Sequence, residues 1–166
     1  MSITTRQFGS ITRQGYDRLQ GELAELVTVE RAEIARWLRE AREDGGEPGE
    51  NLDLGEALEE QALLERRIAE LRGRLAIARI VECAADGTAG VGSHLQLRNP
   101  SGDTVLYQLV GALEGDPGKR LLSIDSPVGQ ALLGRMEGDV VDVEAPGGRR
   151  RYEIVAIASS ARTLAA

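Results

Sequence analysis

Six carboxylates, Glu43, Asp44, Glu47, Glu50, Asp53 and Glu56, fall within 14 residues that hold no Lys or Arg. Like charges this close repel one another, and a plain connection between helices gains nothing from them. The turn is therefore read as a presented chemical feature. Glu47 and Glu50 stand three residues apart across Pro48-Gly49, so both carboxylates can face outward from one turn. An EF-hand loop needs oxygens at alternating positions before a glycine and a closing glutamate; counted from Asp44, Pro48 and Gly49 break that alternation. Mg²⁺ suits the pair better, because it keeps most of its waters and takes only one or two protein carboxylates. Alone, the pair would bind the ion weakly. Delivered into another enzyme's site, it would hold a second metal and orient a water for phosphodiester chemistry.

Two long helices must carry this turn. On the N-terminal side, Tyr16, Leu19, Leu23, Leu26, Ile34, Trp37 and Ala41 form one apolar stripe, with charged residues opposite. Thr12 is the expected cap of the first helix, although Gly15 weakens its first turn. Met1 to Ser10 show no periodicity and read as a loose lead-in. On the C-terminal side, Leu54, Ala57, Gln61, Leu64, Ile68, Leu71, Leu75 and Ala78 keep a heptad spacing. Gln61 would then sit in the seam and fix helix register. A short turn between two such segments predicts an antiparallel pair roughly 45 Å long at ~1.5 Å per residue. The acidic turn becomes the far tip of a rod.

Composition limits the rest. The chain has 166 residues, 20 Lys and Arg against 27 Asp and Glu, and a formal charge of −7. That balance argues against broad binding to naked duplex DNA. No run approaches the ~20 apolar residues that span a bilayer, and no charged-then-apolar leader opens the chain, so a cytoplasmic location without membrane contact is expected. Cys83 and His94 are the only residues of their kinds, which leaves no internal disulfide and no zinc ribbon to build.

From about Thr88 the pattern changes to short β-prone runs at Val91, His94 to Arg98, Val105 to Val110, Leu121 to Ile124, Val140 to Val143 and Tyr152 to Ile157. Turn signals separate them at Asn99-Pro100-Ser101-Gly102, Gly115-Asp116-Pro117-Gly118 and Pro146-Gly147-Gly148. Pro127 to Leu133 reads as a short helix with Ser126 as its cap. A twisted sheet on one short helix is expected.

Ile11-Thr12-Arg13-Gln14-Gly15-Tyr16-Asp17-Arg18-Leu19, continuing to Gly21-Glu22-Leu23, resembles the opening signature of the bacterial Gre transcript cleavage factors, GreA and GreB. The tip from Ala41-Arg42-Glu43 to Glu50-Asn51 is similar to the tip of their coiled coil. So are Val110-Gly111, Leu122 to Gly134, Gly138-Asp139 and Ala145-Pro146-Gly147-Gly148 to parts of their globular domain. The resemblance implies an α+β protein: a long antiparallel coiled-coil hairpin at 1–82, with its acidic tip near 43–56, and a small FKBP-like β-rich domain at 83–166. It implies docking on bacterial RNA polymerase by the globular domain, for which Ser123, Asp125, Ser126 and Pro127 are candidates. The rod would enter the polymerase's secondary channel as a monomer.

There the tip carboxylates Glu47 and Glu50 would share a Mg²⁺ with the polymerase, which then cuts its own backtracked RNA near the 3′ end. Arg39 and Arg42 are candidates for contact with extruded RNA phosphates. No complete catalytic site of its own is expected in this chain. Fold does not carry activity, and with only Tyr107 and Tyr152 for aromatic lining, docking rather than prolyl isomerisation is the expected work of the β-rich domain. The tip departs from the family pattern Gly-Asp-x-x-Glu-Asn. It reads Gly46-Glu47-Pro48-Gly49-Glu50-Asn51 with one extra residue ahead, and Leu54 stands where an aromatic is usual. Glu50 matches the family's catalytic glutamate. Glu47 stands at its aspartate, one methylene longer, with Asp44 as a possible substitute. The alternative is a non-cleaving channel regulator that inhibits or modulates the polymerase.

Overall fold

The computed structural model describes residues 9–43, 45, 51–82, 87–145 and 148–159. Two compact units emerge: Tyr16–Ile77, and a β unit built from the described residues on either side. Strands β1 (Ser10–Ile11) and β2 (Arg79–Ile80), which pair in parallel, both belong to the β unit and not to the hairpin, although both precede residue 82. Ser10 and Ile11 are buried. Residues expected at the end of a loose lead-in are therefore part of the β unit, held by backbone hydrogen bonds that the side-chain pattern does not encode.

The first arm of the hairpin runs as α1 (Arg13–Glu25), a π-helical turn (Leu26–Glu30) and α2 (Arg31–Glu43). Thr12 caps α1 as expected, its Oγ1 accepting from Gly15 N at 2.9 Å. The buried Glu114 carboxylate accepts from Thr12 N at 2.5 Å and Thr12 Oγ1 at 2.7 Å. A Cβ at position 15 would collide with that carboxylate, so the glycine that weakens the helix turn is required by the close approach of Glu114.

The second arm is α3 (Leu52–Ile77), about 39 Å long at ~1.5 Å per residue. Its buried face is Leu54, Ala57, Leu64, Ile68 and Leu71. Gln61 is exposed, contrary to its place in the heptad count, and has no part in fixing register. A long polar amide that can reach water gains nothing from the interface. On the opposite arm Leu38 is buried while Trp37 is only half-buried. Among the described residues, the ion pairs Arg31–Glu65 and Arg67–Glu22 cross between the arms, each at 2.7 Å.

The β unit is a five-stranded sheet in the order β5-β4-β3-β7-β6. Its strands are β3 (His94–Arg98), β4 (Thr104–Val110), β5 (Leu121–Ser123), β6 (Val140–Ala145) and β7 (Gly148–Ala158). Only the β4–β5 pair is parallel, and β3 slips register on β7 between Gln96 and Leu97. Helix α4 (Pro127–Leu132) starts where the sequence places it, Ser126 Oγ accepting from Gly129 N at 3.0 Å. Leu132 joins Leu95, Leu97, Leu109, Val141, Val143 and Ile154 in one core. Val91, read as β-prone, is buried but lies in a turn before β3.

Candidate functional site at the hairpin tip

The tip is built from three levels of packing. Furthest out among the described residues, Asn51 spans the two arms: its Nδ2 donates to Ala41 O at 2.8 Å and to Gly45 O at 3.1 Å. Its Oδ1 accepts from Leu54 N at 3.0 Å, which makes Asn51 the cap of α3. One side chain thus satisfies the end of α2 and the beginning of α3 together. Gly45 stops the first arm with a left-handed backbone, φ +78°, and its N–H returns to Arg42 O at 3.3 Å. Beneath this clamp lies a small apolar cluster of Leu38, Ala41, Leu54 and Ala57, packed by Ile34, Trp37 and Leu58. Trp37, on the facing arm, packs against the cluster that holds Leu54.

Asp44, Glu47 and Glu50, the carboxylates singled out in the sequence, lie outside the described residues. Asn51, next in sequence after Glu50, carries the observed order at the tip. Its role was available from residue type alone, since an Asn three places before a helical Leu is a cap signature. Among the described residues no cluster of three or more metal-binding side chains occurs.

Comparison with known proteins bears on the whole chain. The model of the N-terminal domain of transcription elongation factors matches residues 10–80, and that of the C-terminal GreA/GreB domain matches residues 84–159. The chain belongs to the GreA/GreB family of transcription elongation factors. Transcription elongation factor GreA of Verminephrobacter eiseniae is 42% identical over 151 residues, 89% of this chain and 95% of that protein. The GreA of Alkalilimnicola ehrlichii has the same identity and the same coverage. Among solved structures, the GreA factor homolog 1 (Gfh1) of Thermus thermophilus is 33% identical over 90% of this chain and 97% of its own, with a TM-score of 0.40.

In this GreA/GreB family member Arg39 and Arg42 are exposed on the last turns of α2, next to the tip in sequence. The four docking candidates form one corner between β5 and α4. Ser123 O accepts from Ser126 N at 3.0 Å and from Ser126 Oγ at 2.6 Å, while Ser123 Oγ accepts from Asp125 N at 3.1 Å. Both serines are thereby tied into the turn, which leaves Asp125 and Pro127 exposed at its apex. This arrangement offers a partner one carboxylate and one rigid apolar ring.

Proposed function

We propose that this protein binds bacterial RNA polymerase through its β unit, places its hairpin in the secondary channel and stimulates the polymerase's own cleavage of backtracked RNA. Family membership supports the elongation-factor role. The observation that carries the mechanism is the Asn51 clamp, which joins both arms at the residue following Glu50. A carboxylate delivered to another enzyme's reacting atoms has to arrive in a fixed place, and preorganised hydrogen bonds supply that. Glu47 and Glu50 are the tip carboxylates, with Asp44 as a possible substitute for Glu47. Their donor set is oxygen only, which fits a shared Mg²⁺, and that ion when bound would make a coordinated water more acidic. The chain itself contributes carboxylates and position, and the polymerase contributes the rest of the site. In this reading the exposed apex at Asp125 and Pro127 is the docking contact, and Arg39 and Arg42, exposed on the last turns of α2, are the candidates to contact extruded RNA phosphates.

A second reading rests on the tip sequence. Glu47 is one methylene longer than the family's aspartate and is followed by Pro48-Gly49, a change that favours a factor which occupies the channel and regulates without cutting. One assay separates the two. In a stalled, backtracked complex carrying 3′-labelled RNA, the cleavage factor releases short 3′ fragments faster than polymerase alone, and Glu50→Ala abolishes that release while polymerase binding is kept. Fragment release at the intrinsic rate with the unaltered protein would leave the regulator as the correct reading.

A further inference from the structure

The face of the sheet that carries the core continues past it into a cavity of about 390 Å³, at the end where β3 turns into β4 and β6 into β7. Its size falls within the ~300–1,000 Å³ typical of small-molecule sites. Leu97, Val105, Tyr107 and Tyr152 line it, with Asn99 at the β3–β4 turn. Both tyrosines are half-buried and pack against the core on one side. Strand register places three consecutive arginines beside them. All three arginines border the cavity; Arg150 pairs with core residue Val143 and projects from the cavity's face, whereas the side chains of Arg149 and Arg151 alternate toward the other face. There both meet Asp142, Arg151 Nε at 2.9 Å and Arg149 Nη2 at 3.9 Å. Asp142 therefore engages Arg149 and Arg151, and Arg150 is the one of the three without an ion pair among the described residues.

We propose that this cavity binds a nucleoside phosphate, with the base against the tyrosine-lined wall and the phosphate at Arg150. Every nucleobase offers a flat face that can stack on a phenol ring. A guanidinium meets phosphate oxygens in matched, charge-assisted geometry. A neutral peptide would leave Arg150 without a role, and an acidic peptide would leave the two ring faces without one. In a chain of net charge −7 a cationic, aromatic-lined cavity is also where a polyanion meets least repulsion. The nucleotide has two possible sources, a free mononucleotide or a unit of single-stranded RNA. The inference stands apart from the cleavage reading, because it concerns binding by the protein alone.

The test is an amide NMR titration of the full chain with ADP, with a short single-stranded oligoribonucleotide and with hexaglutamate. Binding of ADP or RNA should move the signals of Tyr107, Arg150 and Tyr152, and Arg150→Gln should weaken it about tenfold, as expected for one charge-assisted contact. Tyr152→Leu should weaken it too, with Tyr152→Phe restoring it, since the ring and not the hydroxyl does the stacking. A response to ADP identifies a free nucleotide as sufficient; a response to RNA alone assigns the site to a strand. The proposal is overturned by three results: no shifts at millimolar ADP or RNA, shifts undiminished in Arg150→Gln, or hexaglutamate binding as tightly as the nucleotides.

Discussion

Asn51 makes three hydrogen bonds with one side chain, two as donor to the end of the first arm and one as acceptor from Leu54 N–H. Asn51→Asp keeps the cap and loses the donors; Asn51→Ala loses both. The alanine variant should lower hairpin stability by about 1–2 kcal/mol, with the aspartate variant in between, as read from melting temperature and from hydrogen exchange at Leu54. His94 is a different case. Its Nδ1 is buried with no hydrogen-bond partner among the described residues, and burial lowers the imidazole below its ordinary 6.5. The unfolded chain then binds a proton that the folded chain resists. Stability from this group is present above 6.5 and is lost as pH falls through that value toward the folded midpoint. An NMR titration of the single imidazole should give a midpoint below 6.5, and His94→Gln should flatten the decline in melting temperature below that pH.

At the scale of elements, much was legible before the structure. Leu64, Ile68 and Leu71 stand at the three- and four-residue steps that define a helix face, and they are buried as that spacing requires. Gln61 satisfied the same count and is exposed, because spacing marks a face and does not tell whether a long polar side chain on it reaches water. Leu64→Ala should therefore cost about 2–5 kcal/mol, whereas Gln61→Ala should stay within about 0.5 kcal/mol, both by denaturant melts. Ser126 and Pro127 announced α4 by local chemistry alone. Glu114 was not legible. Its buried carboxylate meets Thr12 from 102 residues away, and nothing near it in sequence marks it as a partner. The candidate carboxylates at the tip were found from charge density and the capping of α3 by Asn51 is legible from residue type, while its two bonds to the first arm needed coordinates.

In the whole molecule the two units keep separate cores, Leu38, Ala41, Leu54 and Ala57 in the hairpin, and Leu95, Leu109, Leu132 and Ile154 in the sheet. Leu132→Ala should lower amide protection across the sheet by about 2–5 kcal/mol and leave the hairpin amides nearly unchanged in native-state hydrogen exchange. The π-helical turn at Leu26–Glu30 adds a consequence for how the hairpin can vary. A π turn takes one residue more than an α turn, yet Leu19 before it, Leu26 at its start, and Leu38 and Ala41 after it are all buried. The turn is thus a place where chain length can change by one residue without spinning the tip about its own arm. Elsewhere a single deletion rotates everything beyond it by about 100° and shortens the arm by ~1.5 Å. Removing exposed Val29 should leave a folded hairpin of ordinary α pitch, while removing Glu60 from α3 should turn one end of its seam away from the facing arm. A one-residue deletion is the change this turn, and not the rest of the arm, can absorb.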